Sequence, residues 1–425
     1  MTLGSVAAPC RLQVEITGLT TRLTSGYRWA MGRLFTLILL SVSFTVTGCM
    51  PAWLFPRKRP ETRANRNHPE ATPTPATENL PARPPGDGLP IVMEPPTPSR
   101  KPLNILALSG GGSYGAYTAG VLNGWSRSNT RPEFDVVTGI STGALIAPLA
   151  FLGQKYDFEM RRVYNEVGQR DVFRIRYWAT IPFRDSVATS APLRRIVENG
   201  VTDEMVIAIA AEHRKGRRLY VATTQLDSRR AVVWDLGAIA ERGTGSRQLI
   251  HDILLASCSV PGMFPPVPID LELDGKPYTE MHVDGGVTAP VFVPPHVLHD
   301  AGPGANLYVI VAGKFFPEVA RVQPRVLKVL SASGGALMHA HTRSDVSNLY
   351  HMSQLGGLNF HVVSLRQDFT AYDTGIDFDP NEMNRLYVEG VRVGIAGPNW
   401  QNGPPERSPG DNAEIRTGPR FRTVP

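Results

Sequence analysis

One stretch of the sequence, from Phe134 to Phe151, constrains the fold more than any other. It reads FDVVTGISTGALIAPLAF, so an apolar run ends in a G-x-S-x-G pattern and helix-forming residues follow. A strand that turns at once into a helix holds its central residue, here Ser141, in a strained and exposed conformation, and the flanking Gly139 and Gly143 must be small to avoid clashes. The pattern predicts a nucleophilic serine at a helix N-terminus, where free N–H groups favour negative charge. A plain glycine-rich turn is the alternative.

A glycine-rich loop follows the first apolar strand of the folded region. Asn104 to Leu108 are expected to form a buried strand, and SGGGSYGA follows at residues 109–116. Gly110, Gly112 and Gly115 spell G-x-G-x-x-G, the pattern of a dinucleotide-binding turn. That motif needs an acidic residue about 20 positions later in a βαβ unit, and none closes a strand there. We therefore favour an oxyanion hole, in which backbone N–H groups stabilise a carbonyl oxygen that becomes negative.

A later acidic residue, Asp284, ends a probable strand. Gly285 and Gly286 follow it, so its carboxylate would be held on a tight loop at the sheet edge. In isolation, an ordinary Asp-Gly turn is the favoured interpretation.

Strands and helices alternate through the rest of the folded region. Further strands are predicted at 219–224, 231–236, 307–312 and 361–365, the first two forming a hairpin, and helices at 117–125, 158–168, 249–256, 326–340 and 381–393, whereas residues 172–192 show no clear period. Such alternation indicates an α/β domain with a mainly parallel sheet.

The first 101 residues differ from the remainder in charge. They hold 12 Lys and Arg against 6 Asp and Glu, so they carry the whole net charge of +6. The remaining sequence is electrically balanced, and nothing in it argues for nucleic-acid binding.

An apolar run of 13 residues, Leu34 to Val46, lies within this region. It is short for a membrane span, which needs about 20 residues, but typical of the apolar core of an export signal. With the basic start at Met31 and the sequence VTGC ending at Cys49, it resembles a bacterial lipoprotein signal peptide. The resemblance implies acylation of Cys49, a translation start at Met31 and, because Met50 follows the cysteine, the outer membrane of the cell envelope. A buried apolar segment or an uncleaved anchor is the alternative.

The chain divides into four regions by composition. Residues 50–102 contain 14 prolines and almost no aliphatic run, which predicts a disordered tether. We expect a signal region at 1–49, the folded domain at 103–396 and a disordered tail at 397–425.

The cysteines cannot form an internal disulfide. With Cys49 acylated and Cys10 upstream of Met31, only Cys258 remains, and we expect it to be a small buried side chain. No His/Cys cluster has metal-ligand spacing, and no metal or organic cofactor is implied.

Four sequence blocks in a fixed order resemble the patatin-like phospholipase family: SGGGSYGA, GISTG, ASCSVPGMFPPV and VDGG, within residues 103–291. The resemblance implies a three-layer domain with a mainly parallel central sheet flanked by helices. It also implies a serine acyl hydrolase with a Ser-Asp dyad: Ser141 as nucleophile, Asp284 as its base, and an oxyanion hole at Gly110, Gly111 and Gly112. Many members carry Arg or Lys where this chain has Tyr114, a difference that removes the basis for contact between that cation and a phosphate head group.

The chemistry implied by the resemblance is coherent. A serine hydroxyl must lose its proton as it attacks an ester carbonyl, and a nearby base lowers that barrier. An exposed Asp is a weak base, but desolvation beside an apolar acyl pocket would raise its pKa and strengthen it. The expected substrates are acyl esters of membrane lipids.

Three other interpretations remain open at this point. A conventional α/β-hydrolase would use Ser, Asp and His in that chain order. Its histidine would come from those that follow Asp284, namely His296, His299, His339, His341, His351 and His361, whereas His282 is expected to be a packed strand residue. The second is a lipoprotein that binds lipid or a partner without catalysis, and the third is a nucleotide-binding oxidoreductase built on the glycine loop.

Overall fold

A computed structural model describes residues 102–404, apart from residues 166–167, 178–179, 181–183, 274–275, 319–320, 371–374, 376 and 398–399. The predicted signal region, the acylation site Cys49, the tether up to residue 101 and the tail from residue 405 lie outside the described residues.

The described residues form ten strands. They are β1 (Asn104–Leu108), β2 (Val136–Gly139), β3 (Arg174–Ile175), β4 (Ala188–Thr189), β5 (Arg218–Gln225), β6 (Arg230–Asp235), β7 (Val267–Leu273), β8 (Lys276–Asp284), β9 (Asn306–Val311) and β10 (Asn359–Ser364).

The same residues form eleven α-helices. They are α1 (Gly115–Arg127), α2 (Thr142–Leu152), α3 (Asp157–Asn165), α4 (Gln169–Val172), α5 (Ala191–Gly200), α6 (Asp203–Arg214), α7 (Leu236–Glu241), α8 (Ser246–Ser257), α9 (Pro295–Ala301), α10 (Val326–Gly356) and α11 (Pro380–Ile395).

The central sheet is mainly parallel, as the alternation of strands and helices predicts. Its order is β10-β9-β1-β2-β5-β8-β7, with β6 also paired to β5. The five strands from β10 to β5 run parallel, and β6, β8 and β7 join in antiparallel pairs. Strands β3 and β4 form a separate two-stranded sheet. The predicted hairpin is confirmed as the antiparallel pair β5–β6.

Helices cover both faces of the sheet. Successive side chains of a strand point to opposite faces. Along β1, Leu106 and Leu108 belong to an apolar core shared with α1, α2, α8 and α11. The alternate residues Ile105 and Ala107 belong to a second core shared with α9 and α10. The domain is therefore a three-layer α/β structure, which is the fold class expected from the sequence.

Several elements differ from the sequence prediction. Helix α10 extends to Gly356, well beyond the predicted end at residue 340, and residues 172–192, which show no clear period, contain the end of α4, the β3–β4 pair and the start of α5. The packed region also extends past residue 396. Trp400 is buried against Trp125 with 4.6 Å between ring centroids, and Gln401 pairs with Val362 of β10. The predicted domain end at 396 is therefore too early, because an aromatic contact distant in sequence holds the following residues.

Over the part of the chain that the structure describes, no helix combines the length and the apolar character that crossing a bilayer requires.

Candidate active site

Ser141 lies at the turn between β2 and α2. It precedes the first residue of α2, with a φ of 53° and a ψ of −125°. A positive φ is uncommon for a residue with a side chain and stores strain. A Cβ on Gly139 would lie 2.4 Å from the Gly143 carbonyl oxygen, and one on Gly143 would lie 2.6 Å from the carbonyl oxygen of Leu108. Both glycines are thus required by close backbone approach. Ser141 has the strained backbone that the sequence predicts, but the residue is buried and not exposed, because neighbouring elements cover the turn.

Two residues at the end of α8 hold the backbone of this turn. The Ser141 N–H donates to Ser257 Oγ at 3.0 Å, and the Ser257 hydroxyl donates to the Ala222 carbonyl of β5 at 2.8 Å. The Cys258 thiol donates to the Ser141 carbonyl at 3.1 Å. Cys258 is buried, as expected. Sequence reasoning missed the contacts of both residues with the turn, because the turn and α8 are more than 100 positions apart.

The Ser257→Ala variant is expected to lower the free energy of unfolding by about 1–3 kcal/mol, because it leaves the buried Ser141 N–H without an acceptor. Chemical denaturation followed by circular dichroism measures the change. The matched control is Ser333→Ala, on an exposed part of α10, where we expect a change within about 0.5 kcal/mol. Equal stabilities for the two variants would show that Ser257 does not support the turn.

Strand register brings Asp284 to the level of Ser141. Gly139 of β2 pairs with Val221 of β5, and Thr223 of β5 pairs with Asp284 of β8. Ser141 lies two residues beyond Gly139, just as Thr223 lies two residues beyond Val221. The two chemical groups therefore meet at the carboxyl edge of the parallel strands.

The Asp284 side chain is buried and hydrogen-bonded. Its Oδ1 accepts a hydrogen bond from the Gly286 N–H at 2.7 Å. Burial raises the pKa of the Asp284 carboxyl to about 6, while the nearby Ser141 side chain and the Gly286 N–H act in the opposite direction because they stabilise the charged form. The raised pKa makes this carboxylate a stronger base than an exposed aspartate.

The glycine loop follows β1 and lies next to the turn at Ser141. A Cβ on Gly110 would be 3.2 Å from Ser141 Cβ, and Gly112 has a φ of +57°. The Gly110 N–H donates to the Pro290 carbonyl at 3.0 Å. Among the described residues, the N–H groups of Gly111 and Gly112 have no acceptor. The Gly110 N–H is thus already engaged, whereas the N–H groups of Gly111 and Gly112 are the two that remain for the predicted oxyanion hole.

Gly115 and Gly285 of the predicted motifs have packing roles. A Cβ on Gly115 would lie 2.0 Å from Thr142 Oγ1, so the starts of α1 and α2 are in close contact. A Cβ on Gly285 would lie 2.4 Å from the Ala222 carbonyl oxygen, which brings the Asp284 loop against β5.

A pocket opens beside Ser141. Its wall is apolar apart from a few hydroxyl, thiol and backbone groups, and carries no Lys, Arg, His, Asp or Glu side chain among the described residues. The lining residues are Gly112, Ser141, Thr142, Leu145, Val163, Tyr164, Val172, Phe173, Leu193, Ile196, Cys258, Val260, Met263, Phe264, Gly375, Phe378 and Met383. Such a wall suits a hydrocarbon chain and offers no charged partner for a nucleotide phosphate. No group of three potential metal ligands occurs within the described ranges.

Among the described residues, no histidine is hydrogen-bonded to Ser141 or Asp284. His282 is fully buried in β8, where Thr223 Oγ1 and Glu280 Oε2 each lie 2.9 Å from one of its ring nitrogens. It is a packed strand residue, as expected. The six histidines after Asp284 lie in α9, α10 or β10, and none lines the described part of the pocket.

The ring of Tyr114 packs beside Gly313. A Cβ placed on Gly313 would lie 3.7 Å from this ring.

One family model matches the part of the chain that contains this site. The model of the family described as patatin-like phospholipase matches residues 106–296, a range that contains the glycine loop, Ser141 and Asp284. A search of curated protein sequences found no match.

Two solved structures are similar at low identity. VipD from Legionella pneumophila is 11% identical, with a TM-score of 0.37, over 70% of this chain and 66% of its own. The type III effector protein ExoU is 13% identical, with a TM-score of 0.22, over 69% of this chain and 52% of its own. The similarity in sequence is therefore confined to residues 106–296, which match the model of the patatin-like phospholipase family.

Proposed function

We propose that the protein is a serine acyl hydrolase that cleaves acyl esters of membrane lipids, with Ser141 as nucleophile and Asp284 as general base. The match to the family model supports lipid acyl hydrolysis in general. The observation that carries the specific proposal is the strained Ser141 at the start of α2, with the buried Asp284 carboxylate close by and an apolar pocket beside it.

The first half-reaction acylates the serine. Ser141 Oγ attacks the ester carbonyl carbon while its proton passes to the Asp284 carboxylate. The carbonyl oxygen becomes negative and faces the N–H groups of Gly111 and Gly112, each worth roughly 3 kcal/mol in the transition state. The tetrahedral intermediate then collapses. The bond to the alcohol oxygen breaks, the alcohol leaves with the proton from Asp284, and the acyl group stays on Ser141.

The second half-reaction releases the acyl group. Asp284, again ionised, takes a proton from a water molecule that attacks the acyl carbonyl. The same two N–H groups face the second oxyanion. Collapse breaks the bond to Ser141 Oγ, and the proton on Asp284 returns to the serine, which leaves a free fatty acid and the original enzyme.

The absence of histidine from the described pocket wall favours the dyad over a Ser-His-Asp triad. A carboxylate with an ordinary pKa would be too weakly basic for this task, whereas one with a pKa of about 6 is close to the range that general bases use at neutral pH.

Lipid-product mass spectrometry with purified protein tests the proposal. Incubation with phospholipid and lysophospholipid vesicles is expected to release free fatty acid, and the folded Ser141→Ala variant is expected to release none above background. Equal product from the two proteins would refute the assignment of Ser141.

The pH profile is expected to follow the Asp284 carboxyl. The base works only when ionised, so kcat/KM on a soluble ester should be constant well above pH 6 and fall about tenfold per pH unit well below it. Steady-state rates between pH 4 and pH 8 measure the midpoint. A midpoint near 4, the value of an exposed aspartate, would contradict a buried base.

We also propose that acylated Cys49 anchors the protein in the bacterial cell envelope, at the outer membrane. The resemblance of residues 31–49 to a lipoprotein signal supports this location. Metabolic labelling with a fatty-acid analogue is expected to mark the wild-type chain and to spare the Cys49→Ser variant.

A further inference from the structure

The N-terminal half of α10 carries apolar side chains that the proposed mechanism does not use. Val326, Leu330 and Leu337 are 75%, 63% and 68% exposed. At 100° per residue, these three positions fall within about 40° of one another around the helix. They form one apolar stripe, which we call the α10 stripe.

Only the second part of this helix is held by the body of the domain. His339 Nδ1 lies 3.1 Å from the Lys314 carbonyl oxygen, Arg343 donates to the Phe315 carbonyl at 2.9 Å, and Val346 is fully buried. By contrast, every described side chain between residues 321 and 338 is exposed. About 20 Å of helix before His339 is therefore uncovered by the described part of the chain.

The C-terminal end of this uncovered half lies beside the active site. A Cβ placed on Gly286 would lie 3.4 Å from Met338 Cε and 3.0 Å from Asp284 Oδ1. The end of the Met338 side chain thus lies against the loop that holds the base. Val287, the next residue of that loop, is 49% exposed and extends the apolar surface towards the site.

The charge of the segment is one-sided. Between Glu318 and Asp345 the sequence has no acidic residue, whereas Arg321, Arg325 and Lys328 precede or lie within the uncovered half. Lys328 falls on the side of the helix opposite the α10 stripe. An apolar stripe with basic residues around it is the pattern of helices that lie in the interface of anionic membranes.

We propose that the N-terminal half of α10 docks the domain on an anionic lipid surface, with the α10 stripe among the acyl chains and the basic residues at the head groups. The contact would bring the loop that holds Asp284 close to the membrane, so that a lipid ester has a short path to the active site. Its purpose depends on the proposed hydrolase function, but membrane binding is measurable without catalysis.

Vesicle co-sedimentation tests the docking directly. The full-length chain would carry Cys49→Ser, which removes the predicted acylation, and Ser141→Ala, which prevents hydrolysis. We expect it to bind vesicles of equimolar phosphatidylglycerol and phosphatidylcholine. Adding Leu330→Asp and Leu337→Asp is expected to weaken binding about tenfold or more, because two exposed leucines lose their contact with the acyl chains.

The matched control lies on the same helix. Leu355 is 85% exposed, about 38 Å along α10 from Leu330, and Leu355→Asp is expected to leave vesicle binding unchanged. A second variant, Arg321→Gln, Arg325→Gln and Lys328→Gln, retains the α10 stripe. It is expected to bind anionic vesicles at least about tenfold more weakly and to lose the preference for them over pure phosphatidylcholine.

Three results would overturn the proposal: no binding of the parent chain to anionic vesicles, equal binding by the Leu330/Leu337 and Leu355 variants, or a dimeric parent that the Leu330/Leu337 variant makes monomeric. The last would assign the α10 stripe to a second copy of the chain.

Activity distinguishes a failure of the docking proposal from a failure of the proposed function. With Ser141 intact, the Leu330/Leu337 variant should hydrolyse a short-chain soluble ester normally and vesicle phospholipid poorly, whereas a chain inactive on both substrates even without these changes would refute the hydrolase itself.

Discussion

Asp284→Asn is expected to lower kcat for ester hydrolysis by about 10³-fold or more, and Ser141→Ala by at least as much. The amide that replaces the carboxylate cannot take the serine proton, although it has nearly the same shape. The closeness of the Ser141 side chain to the Asp284 carboxyl and the raised pKa of that carboxyl are the physical reasons for this expectation. Initial rates with a soluble ester, measured on variants whose circular dichroism matches the wild type, give the size of the loss.

The histidines supply the control for this experiment. Single substitutions of the six histidines that follow Asp284 are expected to leave kcat within a few-fold of the wild type, because none lines the described pocket wall. A loss of about 10³-fold at one of them in a folded variant would instead support a Ser-His-Asp triad.

Gly111→Ala is expected to lower kcat by about 10²–10³-fold, the usual cost of losing one oxyanion donor. A Cβ at this position would lie 2.4 Å from the Ala312 carbonyl oxygen. Neither the new Cβ nor the Ala312 carbonyl oxygen can turn aside as the end of a flexible side chain could. The loop must therefore move, which carries the Gly111 N–H away from the oxyanion. We expect KM to change much less than kcat, since the donor acts mainly in the transition state.

Gly200→Ala is the matched control for the glycine loop. A Cβ on Gly200 has no neighbouring atom within 4 Å, so kcat and stability should remain close to those of the wild type. If Gly111→Ala had wild-type kcat while its fold was intact, the glycine loop would not be an oxyanion hole.

Much of the fold follows from local patterns in the sequence. The apolar run of β1, the turn at Ser141 and the β5–β6 hairpin are short-range features, and the structure has them where the sequence predicts them. The proximity of Ser141 and Asp284 was expected only through resemblance to a family. In the structure it results from strand register across β2, β5 and β8, which no local pattern specifies.

Features that depend on distant contacts could not be predicted. The Pro290 carbonyl accepts a hydrogen bond from the Gly110 N–H, and the Ser257 hydroxyl oxygen accepts one from the Ser141 N–H. The two residues of each pair are more than 100 positions apart in the sequence. The exposure of the α10 stripe is of the same kind, because an apolar helical face looks alike in sequence whether or not another element covers it.

One distant contact did leave a signal in the sequence. Helices α1 and α11 approach closely at glycines spaced four residues apart. A Cβ on Gly120 would lie 2.2 Å from the Tyr387 carbonyl oxygen, and one on Gly394 would lie 2.2 Å from the carbonyl oxygen of Val121. The matching spacing of Gly120 and Gly124 in one helix and Gly390 and Gly394 in the other could have indicated the pairing.

Labelling with a fluorophosphonate probe tests the central claim most directly, since the probe reacts with an activated serine and mass spectrometry locates the adduct. We predict one adduct on the Ser141 hydroxyl, none on the Ser141→Ala variant and strongly reduced labelling of Asp284→Asn. A correctly folded wild-type protein that takes up no probe, or takes it up at another residue, would contradict the assignment of Ser141 and Asp284 as the catalytic pair.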